Sequence, residues 1–395
     1  MAAVAANTRQ SLAGIEASIE AGRTRSARPS GRPRLEVLTS LRFLAALHVI
    51  LFHLKVERLL TGGPWWYQNF AAIGYIGVNF FFVLSGFILV YTYAADDLDP
   101  RRFWRARFAR IYPAYLLSLG ATAPFFLFAL RHLNLPFFAW SARHLAFAAL
   151  LTLGLLQAWV PQGALTWNPV CWSLSVEAFF YSLFPFLLRR TRAFSHRMLV
   201  LGIAAFSLIS LGISVTYILV HPDGAGKINS SEISLFWKNV LSFNPVVRLP
   251  EFIVGMLTGL LFLRAKNNPR LGSACVLSGS AVILLITALA TTIPNPLISA
   301  GFLSPAFAAI IFGVAQQPRW TRLFAFRSLV LLGQASYSLY LLHSFVMTKA
   351  FEAMPYLPHG IRVAVCVMAA FAASIGSYEL VEEPARRLLR PRKTA

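Results

Sequence analysis

Stretches of about 20 predominantly apolar residues recur along the chain, and at 1.5 Å per residue each is long enough to cross the roughly 30 Å hydrocarbon layer of a bilayer. Ten are present, at about 35–54, 73–95, 112–130, 170–188, 198–220, 246–263, 273–291, 297–315, 329–350 and 361–381. The expected fold is all-α, an integral membrane bundle of about ten transmembrane helices. With 57 % hydrophobic and 13 % charged residues among 395, neither a soluble domain nor a disordered chain fits. A β-barrel is disfavoured because the apolar residues come in runs and not in alternation. One further apolar stretch, 142–158, is short for a crossing, and its fate decides the topology.

The net charge of +21, from 36 Lys+Arg against 15 Asp+Glu, would suggest nucleic-acid binding in a soluble protein. Here the charges sort by loop. If 142–158 stays at one face as an interfacial or re-entrant helix, most cations fall on one side. These are the N-terminal segment with Arg9, Arg23, Arg25, Arg28, Arg32 and Arg34, the loops at 101–110, 189–197, 264–270 and 319–327, and the C-terminal segment from Arg386 to Lys393. The other side keeps Lys55, Arg58, Arg131, Arg143, Lys227, Lys238, Lys349 and Arg362, and only Arg42 and Arg248 lie within spans. The positive-inside rule makes the first side cytoplasmic, with both termini there. The charge then needs no nucleic-acid partner. Residues 1–34 lack an apolar signal core and are expected to be a basic, disordered cytoplasmic tail, 35–385 the transmembrane domain, and 386–395 a second basic tail. Cys171, Cys275 and Cys366 form no metal or disulfide spacing, so neither is expected.

Ionisable side chains at membrane depth cost about 3 kcal/mol each on insertion scales, which makes every one a functional candidate until a structural partner is found. Arg42 and His53 are eleven residues apart, three turns plus about 20°, so they share one helix face about 16 Å apart. His48 faces elsewhere. Arg248 and Glu251 stand at i and i+3 and can pair with each other. Ser336, Tyr340 and His343 form a polar stripe that must face protein or a wet cavity, for substrate contact or for interhelical hydrogen bonds.

The segment Leu-Arg42-Phe-Leu-Ala-Ala-Leu-His-Val-Ile-Leu-Phe-His53 resembles the opening span of the membrane-bound acyltransferase family three, which includes O-antigen, Nod-factor, exopolysaccharide and macrolide O-acyltransferases. Further segments follow in that family's order. They are the Phe-Phe-Phe-Val-Leu-Ser85-Gly86-Phe87 span, Arg107-Phe-Ala-Arg110-Ile-Tyr112-Pro113, Trp172-Ser173-Leu-Ser175-Val-Glu177, Arg248-Leu-Pro-Glu251, Ser336-Tyr337-Ser-Leu-Tyr340-Leu-Leu-His343, and Glu382-Glu-Pro384. The resemblance covers about 35–390. An extra extracytoplasmic esterase-like domain, fused to some members, is not expected here.

The resemblance implies a multi-pass protein of the bacterial inner membrane that moves an acyl group, by default acetyl, from acyl-CoA to a hydroxyl of a glycan or other acceptor. Acyl-CoA is expected as donor substrate, with no tightly bound cofactor. Such chemistry needs a base, stabilisation of an oxyanion and positive charge for the donor's phosphates. His53 is the chosen general base, since an unperturbed imidazole titrates near neutrality. Glu177 either orients that imidazole or sits in a structural ion pair. Arg42 suits a pyrophosphate or thioester carbonyl, or else pairs with an acid such as Glu36 or Glu379. Arg102, Arg105, Arg107 and Arg110 either cradle the nucleotide or simply obey the positive-inside rule. Ser85, Trp172, Ser173, Arg248, Glu251, Tyr337, Tyr340 and His343 are assigned to substrate contact or structure. Direct transfer is preferred over an acyl-histidine intermediate on His53. The rival class is a transporter or flippase of a polar or lipid-linked substrate.

Overall fold

In the computed structural model, residues 35–95, 98–132, 136–224 and 236–389 are described. The expected 1–34 tail, Lys227 and residues 390–395 of the C-terminal tail lie outside them. Ten helices are long and apolar enough to cross a membrane. Their helical cores are α1 (Glu36–Val56), α2 (Ile76–Tyr93), α3 (Pro100–His132), α4 (Trp172–Thr191), α5 (His196–Val220), α6 (Pro245–Arg264), α7 (Pro269–Ala288), α8 (Ser304–Ala315), α9 (Arg327–Ala353) and α10 (His359–Ser377). Among the described residues no strand occurs. The protein is an integral, multi-pass, all-α membrane protein.

Local chemistry sets several helix starts. Asn244 caps α6 and Asn268 caps α7, each accepting a backbone N–H, and each is followed by a proline whose missing N–H costs nothing at the first helical position. Ser195 caps α5 in the same way. The stretch 142–158 takes in the end of a helix at Pro136–Arg143, a nine-residue helix, Leu145–Leu153, and a short 3-10 turn. At 1.5 Å per residue the Leu145–Leu153 helix rises about 14 Å, and the stretch is not among the ten helices long and apolar enough to cross.

Packing divides the helices into a centre and a rim. In α2, 72 % of the apolar window is buried inside the protein, against 17 % in both α5 and α7. The rim helices present Leu201, Leu208, Leu277 and Leu284 outward, where lipid tails are as apolar as leucine itself. At the centre α2 and α6 cross at backbone contact. A Cβ on Gly86 would stand 2.2 Å from the Phe252 carbonyl oxygen, and one on Gly255 would stand 1.9 Å from that of Val83. Only glycines admit this approach. Behind the crossing Arg248 and Glu251 of α6 form a buried ion pair at 3.0 Å, and Arg248 also donates to Asn79 at 2.9 Å and to the Ser299 carbonyl. Phe82 and Trp172 rings flank the same guanidinium. Arg248 and Glu251 are therefore a structural clamp between α6, α2 and the segment before α8.

After α10 the chain runs through a π-helical turn, Tyr378–Glu382, into a last helix, Glu383–Leu389. The widened turn carries buried Glu382, which accepts from Ser338 of α9 at 3.2 Å.

Candidate functional site

The candidate side chains gather at two levels along the same face of α1. His48 is off that face, as its angle requires. Its Nε2 meets the Phe70 carbonyl at 2.7 Å, and its ring stacks on Phe70.

At the Arg42 level a cavity of about 100 Å3 opens between α1, α2, α3, α4 and α9. Arg42, Arg107 and Arg110 line it together with Ser85, Glu177, Tyr181, Ser336 and Tyr337, and its apolar wall includes Phe81, Phe82, Leu84 and Leu174. Arg107 donates to the Tyr93 hydroxyl at 3.2 Å and lies against the Tyr93, Phe103 and Tyr181 rings. Arg42 and Arg110 make no hydrogen bond or ion pair among the described residues, and Glu36 and Glu379 are not their partners. The acids whose charge reaches them are Glu177 and Glu382. Two guanidiniums with unfilled forks in one cavity suit a bidentate anion such as phosphate. Of the four loop arginines, only Arg107 and Arg110 reach this cavity, while Arg102 and Arg105 are exposed.

Glu177 stands in this cavity and not beside His53. Its Oε1 accepts from Ser85 at 3.1 Å and from Tyr181. Both donors use the same oxygen. Ser85 is thus a hydrogen-bonding partner of Glu177, and Tyr337 is held by donating to the Ile111 carbonyl at 2.7 Å. Tyr340 donates to the Val170 carbonyl at 2.8 Å and accepts from Ser173 at 2.9 Å. Trp172 packs edge-on against Phe82 and is tilted over Phe243, outside the polar cluster.

At the His53 level the carboxylate is Glu57, one turn on along α1. His53 Nδ1 lies 3.2 Å from Glu57 Oε1. Ser344 of α9 donates to the same oxygen, and Thr348 donates to Oε2 at 2.9 Å. A carboxylate fed by this many donors is ionised. Burial pushes the Glu57 carboxyl up, but the hydrogen bond and charge of His53, the Ser344 hydroxyl and His343 outweigh it and hold the group below its ordinary value. Against an ionised carboxylate His53 Nδ1 is the donor, which leaves Nε2 as the ring nitrogen open to a substrate. His343, wholly buried, lies edge-on to His53 with ring centroids 4.8 Å apart. Its Nδ1 points at the Tyr340 carbonyl at 2.8 Å, and Nε2 has no hydrogen-bond partner among the described residues.

Of the two readings of Glu177, orienting the His53 imidazole or serving as a structural partner, the first finds no contact here, and the acid beside His53 is Glu57. Glu57 lies just beyond the first span, where an acid reads as an ordinary surface residue. The usable signal was its i+4 spacing from an intramembrane histidine. Glu382 was visible only as part of a motif, because a π-turn that swings a residue inward leaves no mark on periodicity.

A family model described as an acyltransferase domain matches residues 36–378. Acyltransferase MdmB of Streptomyces mycarofaciens is 30 % identical over 326 residues, covering 80 % of this chain and 79 % of that protein. Exopolysaccharide production protein ExoZ of Rhizobium meliloti is 27 % identical, covering 81 % and 92 %. O-acetyltransferase OatA of Staphylococcus aureus is 24 % identical over 89 % of this chain, which spans only 57 % of that relative's length. No solved structure matches.

Proposed function

The chain belongs to the acyltransferase domain family, acyltransferase family three, and from that premise we propose that it is an O-acyltransferase carrying an acyl group from acyl-CoA to a hydroxyl of a glycan or similar acceptor. The observation that carries this reading is the pairing, on one face of α1, of an arginine-lined cavity with a carboxylate-oriented imidazole. Arg42, Arg107 and Arg110 are suited to the donor's phosphates. The walls beyond them, apolar with scattered hydroxyls and the second oxygen of Glu177, suit a pantetheine arm with its amide groups. An arm of that kind can bridge the roughly 16 Å rise from Arg42 to His53.

In the proposed reaction His53 Nε2 takes the proton of the acceptor hydroxyl as its oxygen attacks the thioester carbonyl. Glu57 balances the charge that develops on the imidazole. The tetrahedral adduct then expels the thiolate, which takes the proton back from His53, leaving an ester and free CoA. Acetyl is the proposed acyl group, on the strength of the O-acetyltransferase relative. Cation placement supports a cytoplasmic donor side, both termini on that side, an inner-membrane location, and acceptor access from the opposite face. The transport reading gains nothing from family membership.

The test is transfer of radiolabelled acetyl-CoA in membranes carrying the wild-type chain, His53→Ala or Arg42→Ala at matched expression, with cell-envelope glycan extracts as acceptors. Label should reach an acceptor with wild type, fall at least about 100-fold with His53→Ala, and with Arg42→Ala return partly at high donor concentration. Full transfer by His53→Ala would defeat the assignment, and solute movement into vesicles with no acyl transfer would revive the transporter.

A further inference from the structure

The two levels of the site are not continuous. His53 and His343 do not line the arginine cavity, whose boundary toward them includes Phe81 of α2 and Tyr340 of α9. These two rings meet edge-on with centroids 6.3 Å apart, and Tyr340 is in turn 6.1 Å from the His343 ring. The pair is unequal. Tyr340 is pinned through its hydroxyl to Val170 and Ser173, while Phe81 has no polar anchor and is only partly buried. Movement at this boundary therefore falls to Phe81, whose rotamer changes without breaking a hydrogen bond.

An acyl-CoA held by its phosphates at Arg42 and Arg110 approaches His53 with its acyl group leading, because the thioester sits at the far end of the pantetheine arm. Whatever separates the cavity from the imidazoles is met first by the acyl group. We propose that the Phe81–Tyr340 aromatic pair is the acyl filter of this protein, passing a short uncharged group such as acetyl and rejecting long or anionic ones. The inference rests on the acyl-CoA reading above. Two ring faces offer no cation, so a succinyl carboxylate would have to shed its hydration against apolar walls with no counter-charge in return. A long alkyl group would need the ring displaced throughout its passage, against the buried apolar cluster of α1, α9 and α10 on which Phe81 packs.

The experiment measures thiol release from acetyl-, hexanoyl- and succinyl-CoA by the full chain purified in detergent, with methyl glucoside or water as the acceptor, alongside equilibrium binding of radiolabelled acetyl-CoA. Wild type should use acetyl-CoA at least about tenfold better than the other two, the discrimination a misfitting methylene commonly commands. Phe81→Ala should raise the hexanoyl-to-acetyl ratio about tenfold, and Phe81→Trp should lower release from acetyl-CoA itself while acetyl-CoA still binds. Should Phe81→Ala fail to fold, Phe81→Leu carries the same test with a smaller rise. An unchanged ratio in a variant that melts like wild type would overturn the filter, as would wild type that uses hexanoyl- or succinyl-CoA as readily as acetyl-CoA. A wild type that binds and consumes acetyl-CoA keeps the donor reading whatever the ratios show. One that neither binds nor consumes any of the three removes that reading, and the filter with it.

Discussion

Replacing Glu57 by glutamine removes one charge and leaves the shape. The amide oxygen can still accept from His53 and Ser344, and the Thr348 hydroxyl can turn to accept from the new N–H₂. What is lost is the counter-charge that the imidazole needs once it has taken the acceptor's proton. At the observed 3.2 Å and an effective dielectric constant of 20, that attraction is about 5 kcal/mol. Both side chains retain 18 % exposure, so water and salt screen part of it, and about 2–3 kcal/mol is a reasonable share to be lost from the transition state. At 1.36 kcal/mol per decade kcat should fall about 30- to 150-fold. The donor phosphates are held a full site away, so KM for acetyl-CoA should stay within about threefold. Steady-state thiol release measures both constants. A kcat within threefold of wild type, or a loss carried entirely in KM, would refute the assignment of Glu57 as the partner of the base.

Acidification probes the same carboxylate through stability. The folded Glu57 carboxyl lies below its ordinary value of 4.5, so its contribution is present above that value and is lost as pH falls through the folded one. Melting in detergent between about pH 6 and pH 3 should therefore steepen on the acid side in wild type and be flatter in Glu57→Gln; parallel curves would contradict the shift. Glu251→Ala strands Arg248 in the bundle centre and should cost about 3–5 kcal/mol, read as a lowered melting temperature or loss of folded protein, whereas a variant as stable as wild type would show that Asn79 and Ser299 suffice for the guanidinium.

How much of this was legible beforehand depended on range. The ten candidate spans and their approximate ends could be read because hydrocarbon thickness imposes a length on every crossing, and Asn-Pro pairs at 244–245 and 268–269 write helix starts locally. The shared face of Arg42 and His53 followed from helical angle alone, and the Arg248–Glu251 pair from i, i+3 spacing. Glu177 shows the limit. Nothing in its own helix says whether it faces α1 near residue 42 or near residue 53, because that depends on how α4 is tilted and how deep it sits.

The sequence by itself determined that the chain lives in a bilayer as helices, which of them could cross, and which few charged residues had to be accounted for inside, since each of these follows from free energies summed along one short segment. Only the tertiary structure decided the partners. It brought Ser344 and Thr348 of α9 onto Glu57, turned Glu177 to Ser85, let Arg107 and Arg110 but not Arg102 and Arg105 into the cavity, and set Phe81 against Tyr340. Those outcomes depend on crossing angles and depths fixed by backbone contact, as at Gly86 and Gly255, between helices well over a hundred residues apart, where no local pattern carries the information.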